Sequence, residues 1–318
     1  MWSPVNTGTG WRSNMQHKAA TPTILVTGSN GQVGFELRRS LAPLGNVVAL
    51  DRAACDLSRP AVVRDVLRTL QPTVIVNAGA YTAVDQAETD SDRAFAINAE
   101  APRVLAEEAR ALGALLVHYS TDYVFAGSGT TPYVESDATG PLSVYGKSKL
   151  AGEEGIAATG AQSVILRTSW VAGAHGANFC KTMLKLGRER ETLRVIADQF
   201  GAPTTAALIA DVTAHIVDRA WLRGDREALL PGIYHLAAAG ETSWHGYATE
   251  VLRYAASKGV ALKVAADEIE AIPAAAYPLP APRPSNSRLN TDKLRETFAV
   301  YLPDWRQGVH YLLDQILS

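Results

Sequence analysis

The feature that most narrows the fold is the run Thr23-Ile-Leu-Val-Thr27, which leads straight into Gly28-Ser-Asn-Gly31-Gln-Val-Gly34. A short β-branched, apolar run of this kind reads as a strand buried on both faces of a parallel sheet. The glycines that follow let the backbone turn tightly and open a helix whose free N–H groups and dipole favour an anion. Their spacing is G-x-x-G-x-x-G rather than G-x-G-x-x-G, and no Gly-Lys-Ser/Thr follows, so this is not a Walker loop. The same strand–helix step then recurs. Periodicity predicts helices over 32–41, 60–70, 91–112 and 145–158, and strands over 46–50, 73–77, 115–119 and 163–167. Strands alternating with helices make a doubly wound, Rossmann-type parallel α/β sheet.

Beyond Arg167 the pattern loosens, with helices expected near 181–190, 206–221 and 244–256. The segment 271–288 is too rich in Pro and Ala for a long helix, and Asn290 is placed to cap one that holds Leu294 and Phe298. The expected organisation is a flexible extension over 1–22, a dinucleotide-binding domain over 23–167, and a smaller α/β substrate lobe over 168–318 that returns some elements to the main sheet. A net charge of -2 and 19% charged residues, with no basic stripe, exclude a broad nucleic-acid footprint. No apolar stretch is long enough for a membrane span. Residues 1–20 lack the apolar core of a signal peptide. Cys55 and Cys180 have neither disulfide-framework nor metal-ligand spacing, so a reducing cytoplasm is the expected compartment.

The loop Gly28, Asn30, Gly31, Gln32, Val33 and Gly34 is expected to cradle a pyrophosphate. Asp51 lies 23 residues after Gly28, at the end of the second strand, where a carboxylate accepts from a ribose 2′-hydroxyl. Arg52 beside it would instead face a 2′-phosphate, so NADPH and NADH both stay open. Asp56 and Leu57 follow where a loop covers an adenine, although Asp56 also suits a helix-approach cap.

Tyr145 and Lys149 sit four residues apart on a helix, hence on one face. An unperturbed tyrosine, with a pKa of about 10, is a poor proton donor–acceptor at neutral pH, and a nearby cation is expected to lower it. Thr121 ends the 115–119 strand, at the carboxyl edge where open sheets bind ligands, and can donate to a carbonyl oxygen that becomes an alkoxide. His118 reads as a satisfied core histidine. Asn98 reads either as a polar link near the site or as a solvent-facing residue.

Taken together, Thr27-Gly-Ser-Asn-Gly-Gln-Val-Gly34, Val76-Asn-Ala-Gly-Ala-Tyr-Thr-Ala-Val-Asp85, His118-Tyr-Ser-Thr-Asp-Tyr-Val-Phe125 and Pro141-Leu-Ser-Val-Tyr-Gly-Lys-Ser-Lys-Leu-Ala-Gly-Glu153 resemble the dTDP-4-dehydrorhamnose reductases. These belong to the extended short-chain dehydrogenases. The resemblance continues through Arg167-Thr-Ser-Trp-Val171, Asp198-Gln-Phe-Gly-Ala-Pro-Thr204 and Arg283-Pro-Ser-Asn-Ser-Arg-Leu289. It implies reduction of the C4 ketone of dTDP-4-dehydro-β-L-rhamnose by NADPH, or NADH, as the last step of dTDP-rhamnose synthesis. By that resemblance Tyr145 is the proton donor, Lys149 its partner and Thr121 the carbonyl ligand. Ala80, Tyr81 and Thr82 join the loop residues, Asp51, Asp56 and Leu57 at the cofactor. Asp122 and Trp170 meet the sugar nucleotide, and Arg283 and Arg288 are either ligands of its diphosphate or plain surface arginines.

Some relatives bridge a dimer through Mg2+ held by acidic side chains. Glu36 is present here, but 204–210 carries no carboxylate, which leaves a monomer or a homodimer joined otherwise. Two other readings share these motifs. A sugar-nucleotide dehydratase carries Asp-Glu after the threonine, where this chain has Asp122-Tyr123, and an epimerase retains its cofactor. The non-catalytic β subunit of methionine adenosyltransferase is also similar, but the substrate-side set Thr121, Asp122, Trp170 and 283–289 is intact here.

Overall fold

β1 (Thr23–Thr27) sends Ile24 and Val26 into one apolar core and Leu25 into another, the alternation that only a strand between two helical layers can satisfy. The computed structural model describes residues 21–223 and 229–318; the expected N-terminal extension falls, for 1–20, outside the described residues. After β1 come α1 (Gln32–Ser40), β2 (Asn46–Leu50), α2 (Pro60–Leu70), β3 (Val74–Asn77), and the short α3 (Val84–Ala87) and α4 (Ser91–Phe95). Then follow α5 (Ala101–Leu112), β4 (Leu115–Thr121), α6 (Val144–Thr159) and β5 (Ser163–Thr168).

The second half contains β6 (Val171–Ala172), α7 (Phe179–Glu189), β7 (Arg194–Ile196), β8 (Phe200–Gly201), β9 (Thr204–Thr205), α8 (Ala206–Val217) and β10 (Gly232–His235). It ends with β11 (Thr242–Ser243), α9 (Trp244–Ser257), β12 (Glu270–Ile272), α10 (Asp292–Phe298) and α11 (Trp305–Leu317).

Six strands pair in the order β10-β5-β4-β3-β1-β2, all parallel. β2 leaves β1 on one side and β3 on the other, so the strand order reverses between β1 and β3, where open sheets bind their ligands. α1 and α8 pack on one face with Leu37, Ile209 and Ile216; α2, α5 and α6 cover the other with Leu67, Leu105 and Ile156. A third core, built from Met183, Leu184, Tyr247, Leu252 and Trp305, belongs to α7, α9 and α11 and lies off the sheet. The second half returns a strand to the sheet, because β10 pairs with β5. Among the described residues no helix is long and apolar enough to cross a membrane.

Two expectations are corrected. The helix expected over 91–112 is broken by a wide turn at Ala96–Glu100. Pro102 has no N–H to offer the Asn98 carbonyl, so the i to i−4 bond cannot form there and the turn widens. The capping position of α10 is Thr291, although the side chain of Asn290 still accepts from the Asp292 N–H at 2.8 Å.

α6 carries Tyr145 and Lys149, and its seat is unusually close. A Cβ on Gly152 would lie 2.1 Å from the Asn98 carbonyl oxygen, so only glycine fits where α6 crosses the widened turn. One residue further along α6, Glu153 binds Arg167 of β5 through two bonds of 2.9 and 2.6 Å, and both side chains are 2% exposed. Removing one partner of such a pair strands a buried charge. Glu153→Ala should therefore cost about 3–5 kcal/mol, and the double variant Glu153→Leu/Arg167→Met should recover most of it. Urea unfolding midpoints of the three proteins check this.

Candidate active site

The N-terminus of α1 is left open: Gly31 precedes it with no side-chain cap. Gly28 adopts φ +67°, and a Cβ there would lie 2.5 Å from the Gly79 nitrogen; one on Gly34 would lie 2.1 Å from the Gly28 oxygen. The result is a cradle of bare backbone at the positive end of a helix, which suits a pyrophosphate. Gly28, Asn30, Gly31, Asp51, Asp56, Leu57, Ala80, Tyr81 and Thr82 all line one cleft of about 440 Å³ beside it. The structure thus brings together nine of the residues expected at the cofactor, together with Arg52, whose guanidinium was the alternative partner for a 2′-phosphate, and adds Cys55 and Arg93, which were not expected there.

Three loop residues act otherwise. The Gln32 side chain accepts from the Gly173 N–H and from Asn178, tying the loop to the second half of the chain. Val33 packs against the sheet core, and Gly34 is buried under the turn. Asp51 uses one oxygen for the Ala53 and Ala54 N–H groups and the other for Asn30. Asp56 caps Ser58, whose hydroxyl and N–H hold its carboxyl below the usual range, while it still lines the cleft.

At the carboxyl end of β4, Thr121 is buried and its hydroxyl stands beside the Tyr145 phenol, acting to lower its pKa. It also donates to Asp122 at 3.1 Å and accepts from the Tyr123 N–H. Ser143 starts α6 by accepting the Gly146 N–H, which fixes where Tyr145 stands. The expected lowering of Tyr145 by Lys149 is not what the structure shows. Burial pushes the phenol up to about 12 against the pull of the Thr121 hydroxyl, with Asp122 raising it further. The Lys149 ammonium does not oppose this, because its Nζ is spent on the Tyr119 carbonyl at 2.6 Å and faces His118 Nε2 at 3.2 Å. Lys149 itself is brought down to about 8 by burial, against the Glu153 charge.

His118 is buried in the core, but it also touches Lys149, which sequence reasoning did not foresee. Asn98 takes the first of its two readings: buried, it bonds the Tyr81 N–H, the Tyr81 carbonyl and the Ser148 hydroxyl, joining the cofactor cleft to α6.

A second cleft, of about 580 Å³, is lined by Tyr123. Trp170, Trp244 and Phe179 form its aromatic wall, and Arg283 and Ser287 its polar edge. Trp170 stands at φ +49°, with its ring over Gly201 and stacked on Trp244 at 3.7 Å between centroids. Trp244 and Phe179 come from α9 and α7, and no spacing in the sequence ties them to Trp170. Arg283 reaches this cleft but also pairs with Asp85 at 2.7 Å, while Arg288 is bound to Glu241 and lies over Phe200.

Glu36 is paired with Arg39, which also holds Asp211, the first carboxylate after 204–210. Among the described residues no group of three His, Cys, Asp or Glu side chains is placed to hold a metal ion.

With this geometry in view, a family described as "RmlD substrate binding domain" matches residues 22–318. The chain belongs to that family. It is 49% identical over 295 residues to a dTDP-4-dehydrorhamnose reductase of Burkholderia thailandensis, covering 93% of this chain and 99% of the relative. It is 48% identical over 299 residues to one of Escherichia coli K12, covering 93% and 98%. Among solved structures, a dTDP-4-dehydrorhamnose reductase from Bacillus anthracis in complex with NADP superposes with a TM-score of 0.84 at 33% identity, covering 93% of this chain and 99% of that one.

Asp122 is 2% exposed, and burial pushes it up to about 6 against the neighbouring Ser287 and Thr121 hydroxyls, of which Thr121 donates to it at 3.1 Å. Its folded value lies above the ordinary one, so the protonated form carries no cost below about pH 4. Ionisation then weakens the fold as pH rises through the folded value. Asp122→Asn should therefore stabilise the protein by about 2–3 kcal/mol near pH 8 and leave it unchanged near pH 4. Urea unfolding at the two pH values tests the sign.

Proposed function

We propose that this chain reduces the C4 ketone of dTDP-4-dehydro-β-L-rhamnose to dTDP-β-L-rhamnose, the last step of dTDP-rhamnose synthesis. The observation that carries the reading is the Thr121–Tyr145 hydroxyl pair, set at the end of β4. Gly28, Asn30 and Gly31 of the glycine cradle would hold NADPH or NADH, and the bound cofactor would supply a hydride.

The chain's own residues do the rest. A phenol held at about 12 keeps its proton at neutral pH, which is the form a reductase needs. Tyr145 gives that proton to the C4 oxygen as the carbonyl becomes an alcohol. Thr121 steadies the same oxygen with its hydroxyl hydrogen while negative charge develops. Lys149, one turn along α6, compensates the phenolate that remains.

The dTDP-sugar lies in the aromatic cleft, its ring against Trp170 and its hydroxyls toward Asp122. Arg283 meets the diphosphate by forked donation. Arg288, engaged with Glu241, supports the wall rather than the ligand. The division into a dinucleotide-binding domain over 23–167 and a substrate lobe over 168–318 follows the two clefts, with Arg283 and Trp170 on the second. The partner is this sugar nucleotide, and the chain acts as a monomer or as a homodimer joined without a metal bridge. Two buried, unpaired cysteines suit the cytoplasm.

The test is NADPH oxidation with enzymatically generated dTDP-4-dehydrorhamnose. Wild type should turn over, and Tyr145→Phe should lose roughly 10²–10⁴ in rate. No turnover by wild type, or an unchanged Phe variant, overturns the reading. Asp51→Ala should raise the NADPH/NADH preference ratio, measured as the ratio of kcat/KM values. An equal ratio in variant and wild type means that Asp51 does not touch the ribose.

A further inference from the structure

Behind Lys149 lies a row of buried polar side chains that the reaction as described does not use. Lys149 Nζ faces His118 Nε2 at 3.2 Å, and His118 Nδ1 meets Asn77 Nδ2 at 3.0 Å. Asn77 Oδ1 in turn accepts from the Thr27 hydroxyl at 2.7 Å and from the Gly79 N–H at 3.3 Å. Thr27, Asn77, His118 and Lys149 are each at most 2% exposed, so bulk water does not reorganise around them.

The direction of this row can be worked out from one end. A backbone N–H only donates, so the Asn77 atom facing Gly79 is the carbonyl oxygen, and the amide's NH2 must face His118. An NH2 donates as well, so His118 Nδ1 is the bare, accepting nitrogen. The ring then carries its single proton on Nε2. That proton points at Lys149 Nζ. An amine can accept it through its lone pair, whereas an ammonium has no lone pair and meets the positive end of the N–H dipole.

We propose that Thr27, Asn77 and His118 form a positioning chain that locks the Nε2–H tautomer of His118 and thereby favours the amine form of Lys149 over the ammonium. The inference deepens the reductase reading, and its kinetic consequence rests on it. His118 touches neither hydroxyl of the Thr121–Tyr145 pair in any bond described above; it acts through Lys149. When Lys149 takes up a proton it loses its partner at His118 and keeps only the Tyr119 carbonyl, which frees it to serve Tyr145.

The remaining groups around Lys149 do not reverse this direction. On α6 the carboxylate of Glu153 favours the ammonium, but β5 answers it with the bidentate Arg167. Tyr145 is protonated, Asp122 acts on Tyr145 rather than on Lys149, and Asn98 beside α6 is uncharged. Burial and the charge of Lys149 hold His118 itself well below the usual imidazole range, so it stays neutral.

Neutron diffraction from crystals of the wild-type protein reads the tautomer directly. A deuteron on His118 Nε2 and none on Nδ1 is expected; one on Nδ1 overturns the proposal whatever the variants do. Kinetics gives the second arm. His118→Leu removes the N–H dipole, so the alkaline limb of kcat/KM should move up by about one pH unit. Asn77→Asp would accept from Nδ1–H, turn Nε2 into an acceptor and move the limb the same way. A limb that stays put or moves down in folded variants sinks the idea, because the opposite tautomer predicts a downward shift for His118→Leu. Absence of wild-type turnover would overturn the reductase reading while leaving the neutron result to decide the tautomer.

Discussion

The close seat of α6 against the turn at Ala96–Glu100 is the contact on which the placement of Tyr145 and Lys149 depends. It exists because Pro102 cannot bond the Asn98 carbonyl and because Gly152 has no side chain to push that carbonyl away. The same turn aims Asn98 at Tyr81 on one side and Ser148 on the other. One local irregularity therefore sets the distance between the cofactor cleft and the helix that carries Tyr145 and Lys149. The Glu153–Arg167 pair then pins that helix to β5, so α6 is fixed on two sides.

Burial at this end works against charge. Tyr145 and Asp122 are pushed up and Lys149 is brought down, each chiefly by loss of water. For a reductase these directions agree: the phenol is stored with its proton, and the lysine is a cation that gives way easily. The fold bears a stability cost for keeping such groups dry, as sites with perturbed ionisation commonly do.

Much of the fold was legible in the sequence because it rests on local patterns. β1, β2 and β3 announce themselves as apolar runs, Gly28 and Gly31 mark the βα turn, and Ser143 caps a helix whose Tyr and Lys share a face by spacing alone. What was not legible depends on partners that meet only in the folded chain. The break before α5 follows from a proline that, in the sequence, looks like an ordinary first-turn residue. Trp244 and Phe179 reach Trp170 from separate helices. Lys149 meets His118 of β4, which in turn meets Asn77 of β3, neither of them near it in the chain.

The pairing of Arg283 with Asp85 carries a consequence of its own. Asp85 lies just after Tyr81 and Thr82 of the cofactor cleft, and Arg283 borders the aromatic cleft, so one ion pair spans the edge between the two. The guanidinium already has an anion. An incoming phosphate therefore gains only the difference between itself and the carboxylate of this part-buried pair, as in ion exchange on a resin. A singly charged ligand gains almost nothing from such a swap, whereas a doubly charged one gains a clear margin, and that margin shrinks as added salt competes for the same guanidinium.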